Sequence, residues 1–182
     1  RRDLSAFFNF LDSEHFIEEK IRMPRMSKPK TRKKALTAEE IQKCIKACKD
    51  PNADRFTCIR NRAMLLWFYD TGCRLSETAN LQISDLNWET RLARVVGKGN
   101  KERFVPFGLK TKKELWTYLK RRESYKNYSP SISDYFWINR EGFPLTGKAI
   151  QEAFKKIRTK TGVKLNPHRL RHSFALAWTE AG

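Results

Sequence analysis

The chain has 182 residues with 38 Lys and Arg against 20 Asp and Glu, a formal net charge of +18, and 40% hydrophobic residues. That apolar content supports a real core and excludes a wholly disordered chain, and at about 150 residues per domain the length suggests one full domain plus part of another. No apolar run reaches the ~20 residues that span a bilayer, and no signal-type apolar segment follows the basic N-terminus, which argues against membrane insertion and secretion.

A charge excess of this size repels itself and points to a polyanionic partner, nucleic acid before an anionic membrane surface. Cys44, Cys48, Cys58 and Cys73 are too few and too irregular for a disulfide framework, and no zinc-finger spacing accompanies them. They read as buried or half-buried thiols of a reducing cytosol. The chain begins without Met and stops at Gly182 as a helix ends, so both ends are expected to be cuts through a longer polypeptide.

Leu4, Phe7, Phe8 and Leu11 have the spacing of a helix with one apolar face, too little to bury itself. From Lys20 to Lys34 there are eight Lys or Arg, no acid, and Pro24 and Pro29. Such a stretch reads as an extended basic linker between two apolar segments. Thr37 and Glu40 form a capping box opening a helix through about Cys48. The apolar run Ile59 to Tyr69 is too long for a strand and predicts a buried central helix, with Gly72 as its C-terminal cap.

A short helix follows over about Ser76 to Leu81. Arg91–Val96 and Arg103–Phe107 predict a hairpin joined by Gly97-Lys98-Gly99-Asn100-Lys101, with Pro106 at a sheet edge or strand end. Lys112 to Arg122 predicts a basic amphipathic helix with Leu115, Trp116 and Leu119 inward. A polar loop covers Ser124 to Ser133, and Tyr135 to Ile138 predicts a short third strand turned at Glu141-Gly142. Thr146 caps a helix with Ile150, Ala153, Phe154 and Ile157 inward, closing at Gly162. Asn166 caps the last helix, with Pro167 in the favoured first position. The fold class is therefore mainly α (α+β), with a small three-stranded antiparallel sheet.

Three segments could carry chemistry. At about 100° per residue, Leu170, Phe174, Ala177, Trp178 and Ala181 share one face of the last helix. His168 and His172 lie opposite, with Arg171 between. An imidazole and a guanidinium at a helix N-terminus suit an anion such as phosphate. Zinc binding by His168 and His172 is disfavoured, because Arg169 stands where a His-Glu-x-x-His motif has its base. In Thr71-Gly72-Cys73-Arg74-Leu75-Ser76-Glu77, Arg74 follows a helix-ending glycine and Glu77, three residues on, is placed to orient it. The hairpin tip offers Lys98, with Lys101 and Arg103 adding charge. Each segment alone also fits a bland description: a basic surface helix, a turn with an ion pair, a charged hairpin tip.

Together, in this order, these motifs closely resemble the tyrosine recombinase (phage integrase) family in its Xer-like form, from about Leu36 to Gly182. Val105-Pro106 after the hairpin and Tyr135-Phe136 before the Gly142 turn belong to the likeness. The resemblance implies a helical catalytic domain over residues 36–182, C-terminally incomplete, a basic linker over 24–35, and the final helix of an N-terminal core-binding domain over 1–23. It implies DNA strand cleavage and rejoining by transesterification without metal or other cofactor. Arg74 and Arg171 would clamp the scissile phosphate, His168 would transfer a proton, and Lys98 would protonate the departing 5′-oxygen, with Glu77 and His172 in support.

Arg25, Lys28, Lys30, Arg32, Lys33, Lys34, Lys101, Arg103 and Arg169 would contact double-stranded DNA. The family's nucleophile is a tyrosine downstream of the His-x-x-Arg helix. Tyr69, Tyr118, Tyr125, Tyr128 and Tyr135 all precede His168, so no nucleophile is expected among residues 1–182 and the chain alone is expected to be inactive. The resemblance further implies a DNA-bound tetramer of the full-length parent and a cytoplasmic, nucleoid-associated protein. Two alternatives stay open: a non-catalytic DNA-binding regulator on the same scaffold, and a type IB topoisomerase-like enzyme.

Overall fold

The computed structural model describes residues 2–17, 35–49, 53–97, 99–123 and 134–181. The chain divides into two compact units, Arg1–Arg32 and Lys33–Gly182. In the first, helix α1 spans Arg2–Ser13, with Phe7 and Phe10 each about half exposed. His15 turns the chain in the left-handed region at φ 58°. The basic stretch after it lies outside the described residues.

The second unit opens with α2 (Ala38–Ala47) and both arms of the expected capping box. Thr37 Oγ1 accepts from the Glu40 amide at 3.1 Å, and the Glu40 carboxylate accepts from the Thr37 amide at 3.0 Å. Helix α3 (Arg55–Thr71) is capped by Asp54 and ends at Gly72. Phe56, Ala63, Met64, Leu65, Leu66, Trp67 and Phe68 are all buried along it. The run from Ala63 to Phe68 is apolar on every side and must be surrounded, so this part of α3 forms the centre of the unit. Helix α4 (Leu75–Ala79) and a single 3-10 turn, Ile83–Asp85, lead into the sheet.

Strands β1 (Leu86–Asn87), β2 (Leu92–Val96) and β3 (Glu102–Pro106) form an antiparallel sheet in the order β1-β2-β3. Ala93 lies opposite Leu86 on one side and Val105 on the other. The period-2 alternation buries Ala93, Val95 and Val105. It also turns Arg103, opposite Val95, toward that same face. Pro106 ends the edge strand, where its missing N–H leaves no gap in a ladder.

The third strand is therefore Leu86–Asn87, and the expectation for Tyr135–Ile138 is corrected. That segment makes only isolated bridges, Gln82 with Tyr135 and Ile138 with Pro144. Phe136, Trp137 and Ile138 are all buried, so no side of the segment faces solvent. Side chains serve much of its backbone: Arg122 donates to the Tyr135 carbonyl at 2.8 Å, and the Ile138 N–H donates to Tyr118 Oη at 3.0 Å.

Helix α5 (Leu109–Arg122) buries Thr111, Leu115, Tyr118 and Arg122. Trp116 is not inward as expected; it is 45% exposed and meets Trp88 edge-on at 5.2 Å. Its position falls beside the 111–115–118–122 stripe, about 100° from Leu115. Helix α6 (Gly147–Thr161) has the expected cap and buried face and ends at Gly162, φ 72°. Helix α7 (Pro167–Ala181) follows, its first turn capped by Asn166 Oδ1 accepting from the Arg169 amide at 2.8 Å. Leu170 and Ser173 are buried against the core, whereas Trp178 is 61% exposed. Cys44, Cys48 and Cys73 are buried and Cys58 half-buried, all as free thiols. Among the described residues no helix is long and apolar enough to cross a membrane.

Candidate functional site

The site is assembled where α3 stops. Gly72 adopts the left-handed conformation at φ 57°, which lets the chain reverse and start α4 two residues later with Arg74 as the N-cap. Helix α7 closes over this turn. Arg171 donates from Nη1 to the Gly72 carbonyl, which holds a guanidinium at the negative end of α3. One turn on, the Phe174 ring lies against Gly72 so closely that a Cβ there would collide with Cδ1.

Arg74 is held from the opposite side by Glu77, whose side chain is fully shielded from solvent. Glu77 Oε1 accepts from Arg74 Nη1 at 2.9 Å and from Arg103 Nη1 at 2.6 Å; Oε2 accepts from the Arg74 amide and from Arg103 Nη2, both at 2.7 Å. Burial alone would raise the Glu77 pKa. The Arg103 bond and the two from Arg74 outweigh it and hold the carboxyl at about 2. The Arg74 side chain stays 54% exposed.

A cleft of about 670 Å³ opens here, and Arg74, His168 and Arg171 all line it. Three of the four expected catalytic residues thus line one cleft. His168, exposed in the first turn of α7, stands at the positive end of that helix's macrodipole, which favours an anion. Cys73 also lines the cleft, but burial pushes its thiol up to about 11, so at neutral pH it is not a thiolate nucleophile. Tyr69, Tyr118 and Tyr135 do not line it. Tyr118 is instead a core residue, its hydroxyl pushed up to about 12 by burial.

Lys98, Arg25, Lys28, Lys30, Arg32, Lys33 and Lys34 lie outside the described residues. Gly97, immediately before Lys98, packs onto the site: a Cβ on it would lie 3.3 Å from Glu77 Oε1 and 3.6 Å from Arg74 Nη1. His172 is half-buried, and its Nδ1 is enclosed with no hydrogen-bond partner among the described residues. Lys101 is exposed in the hairpin. Two of the expected DNA contacts are engaged within the protein. Arg103 grips Glu77, and Arg169 reaches the Glu40 carboxylate at 3.5 Å and the Lys164 carbonyl at 3.3 Å.

The sequence reading missed further residues of this cleft. Gln151, Lys155 and Arg158 of α6 line the same cleft, and their i, i+4, i+7 spacing on the polar side of a capped helix was a usable signal. It also missed the pairing of Arg103 with Glu77. Arg103 is two residues before the inward Val105, and an inward cation needs a buried acid.

Known proteins share this sequence and this fold. The sequence is 36% identical over 180 residues to tyrosine recombinase XerC of Thermodesulfovibrio yellowstonii, covering 94% of this chain and 58% of the relative. It is also 36% identical over 185 residues to tyrosine recombinase XerA of Pyrococcus furiosus, covering 98% of this chain and 58% of the relative. The chain thus spans somewhat under three fifths of the length of these relatives. A crystal structure of XerA recombinase shares the fold over the whole chain and 60% of its own length, with a TM-score of 0.70 and 23% identity. A pre-cleavage complex of the XerH site-specific recombinase bound to its difH substrate does so over 98% of this chain and 52% of its own length, with a TM-score of 0.69 and 24% identity. The phage integrase family profile matches residues 34–182, and the chain belongs to that family.

Proposed function

We propose that this chain activates a DNA phosphodiester for strand exchange, as the phosphate-binding part of a site-specific recombinase. One observation carries the reading: Arg74, His168 and Arg171 line a single cleft at the N-terminus of α7. Two guanidiniums on the non-bridging oxygens neutralise charge that builds up as phosphorus becomes pentacoordinate, and being already in place they need no rearrangement during the reaction. His168 moves a proton at the same phosphate. The family resemblance adds Lys98 as the acid that protonates the departing 5′-oxygen. It makes the attacker a tyrosine, which reaches this cleft from outside the described residues. One phosphoester is exchanged for another, so the bond is conserved as a 3′-phosphotyrosyl link until rejoining.

Double-stranded DNA is the proposed partner, supported by the +18 charge and by the substrate complex of the XerH relative. Assembly of the full-length protein as a tetramer on DNA, and residence with the nucleoid in the cytoplasm, belong to the same proposal, as does the division into residues 1–23, 24–35 and 36–182.

The test uses residues 1–182 and a duplex carrying a 3′-terminal p-nitrophenyl phosphodiester, with phenol added as a stand-in for the tyrosine side chain. The phenol oxygen bonds to phosphorus, its proton passes to solvent, and nitrophenolate leaves. Release above the protein-free rate is expected, falling about a hundredfold in Arg74→Ala or Arg171→Ala. Duplex binding with no release would assign the chain to the regulator class. Release from duplexes of any sequence would favour the topoisomerase-like reading.

A further inference from the structure

We infer that Arg103 is a positioning residue for the phosphate clamp: through Glu77 it fixes where Arg74 points and locks the hairpin onto the same carboxylate. The inference rests on the phosphate-activating reading above. A carboxylate has about four lone-pair sites, and all those of Glu77 are taken. Arg103 fills one on each oxygen with a two-pronged grip at 2.6 and 2.7 Å, leaving one on each for the Arg74 amide and Nη1. The Arg74 side chain, 54% exposed, makes its one described hydrogen bond to Glu77. The direction of its guanidinium is thus set by a carboxylate whose own position is set by Arg103.

Backbone placement makes this a link between elements. Arg103 sits on β3, opposite Val95, whereas Arg74 and Glu77 belong to the start of α4. Gly97 closes the base of the hairpin, its N–H donating to the Lys101 carbonyl at 2.8 Å. A Cβ on it would lie 3.3 Å from Glu77 Oε1. The hairpin is therefore seated on the Arg74–Glu77 pair at two points, one through the Arg103 side chain and one through backbone. A guanidinium suits this task because its planar fork matches both carboxylate oxygens at once, whereas a lysine offers a point charge.

The test compares Arg103→Gln, Arg103→Lys and Arg171→Ala with the unsubstituted chain, using the p-nitrophenyl phosphodiester duplex with phenol. Rate at saturation, KM for the duplex and the salt dependence of binding are measured. The expected result is a saturated rate lower by about tenfold or more in Arg103→Gln, since a misplacement of about 1 Å costs up to a hundredfold. KM and the salt slope stay unchanged. Arg103→Lys keeps the charge on Glu77 and lands between Arg103→Gln and the parent. It remains informative if Arg103→Gln fails to fold.

A raised KM with the salt slope smaller by about one would make Arg103 a phosphate contact and overturn the inference. So would an Arg103→Lys variant at the parental rate. If Arg171→Ala retains the parental rate, the phosphate-activating reading itself fails and this inference falls with it; a slow Arg171→Ala beside an unaffected Arg103→Gln removes the inference alone.

Discussion

The Phe174 ring occupies the space a side chain on Gly72 would need. The Gly72 carbonyl meanwhile accepts from Arg171. One residue thus ends α3, receives the face of α7 and holds the Arg171 guanidinium. Gly72→Ala forces an L side chain into φ 57° and into the ring. We expect a loss of about 2 kcal/mol or more, from the left-handed strain and the overpacking together. Thermal unfolding checks this, with a drop in Tm of about 4 °C or more.

Tyr118 is fully buried, and its hydroxyl accepts the Ile138 N–H at 3.0 Å. Tyr118→Phe leaves that amide enclosed without its partner, at a cost of about 1–3 kcal/mol. Urea unfolding should show a lower midpoint with an unchanged m-value, since little surface changes.

Glu77 titrates at about 2 against an ordinary 4.5. A carboxyl with a depressed folded-state pKa stabilises the fold fully above its unfolded pKa, and that contribution is lost as pH falls through the folded value. Stability of the parent relative to Glu77→Gln should therefore be constant above about pH 5 and decline between 4.5 and about 2. Paired denaturant titrations across that range measure the difference.

Lys155 and Arg158 line the same cleft as Arg74 and Arg171. Replacing both by Ala should weaken duplex binding across unrelated sequences and reduce the salt slope by about one for each charge removed. Fluorescence anisotropy at several salt concentrations reads both effects.

Elements whose signals are local were legible in the sequence. The Thr37–Glu40 box, the Gly72 and Gly162 caps and the Asn166-Pro167 start each act within a few residues, and each stands where its chemistry requires. What escaped depends on partners far along the chain. Tyr135–Ile138 looks like a strand, but its Tyr135 carbonyl and Ile138 N–H are met by the Arg122 and Tyr118 side chains from α5. The two-residue strand Leu86–Asn87 is too short to leave a periodic trace. In the site, Arg74, His168 and Arg171 were readable as a set through the family likeness. Arg103 and Arg169 read as surface cations, because charge alone does not reveal that Glu77 and Glu40 are waiting for them.

The central claim is that Arg74, His168 and Arg171 grip one phosphate. NMR observation of arginine Nε–H and histidine Cε1–H signals during titration with a short duplex tests it most directly. The signals of all three are expected to move along a single saturation curve, while that of Arg103, held on Glu77, stays in place. Duplex binding that leaves the three signals unmoved, or shifts them with separate midpoints, would contradict the account.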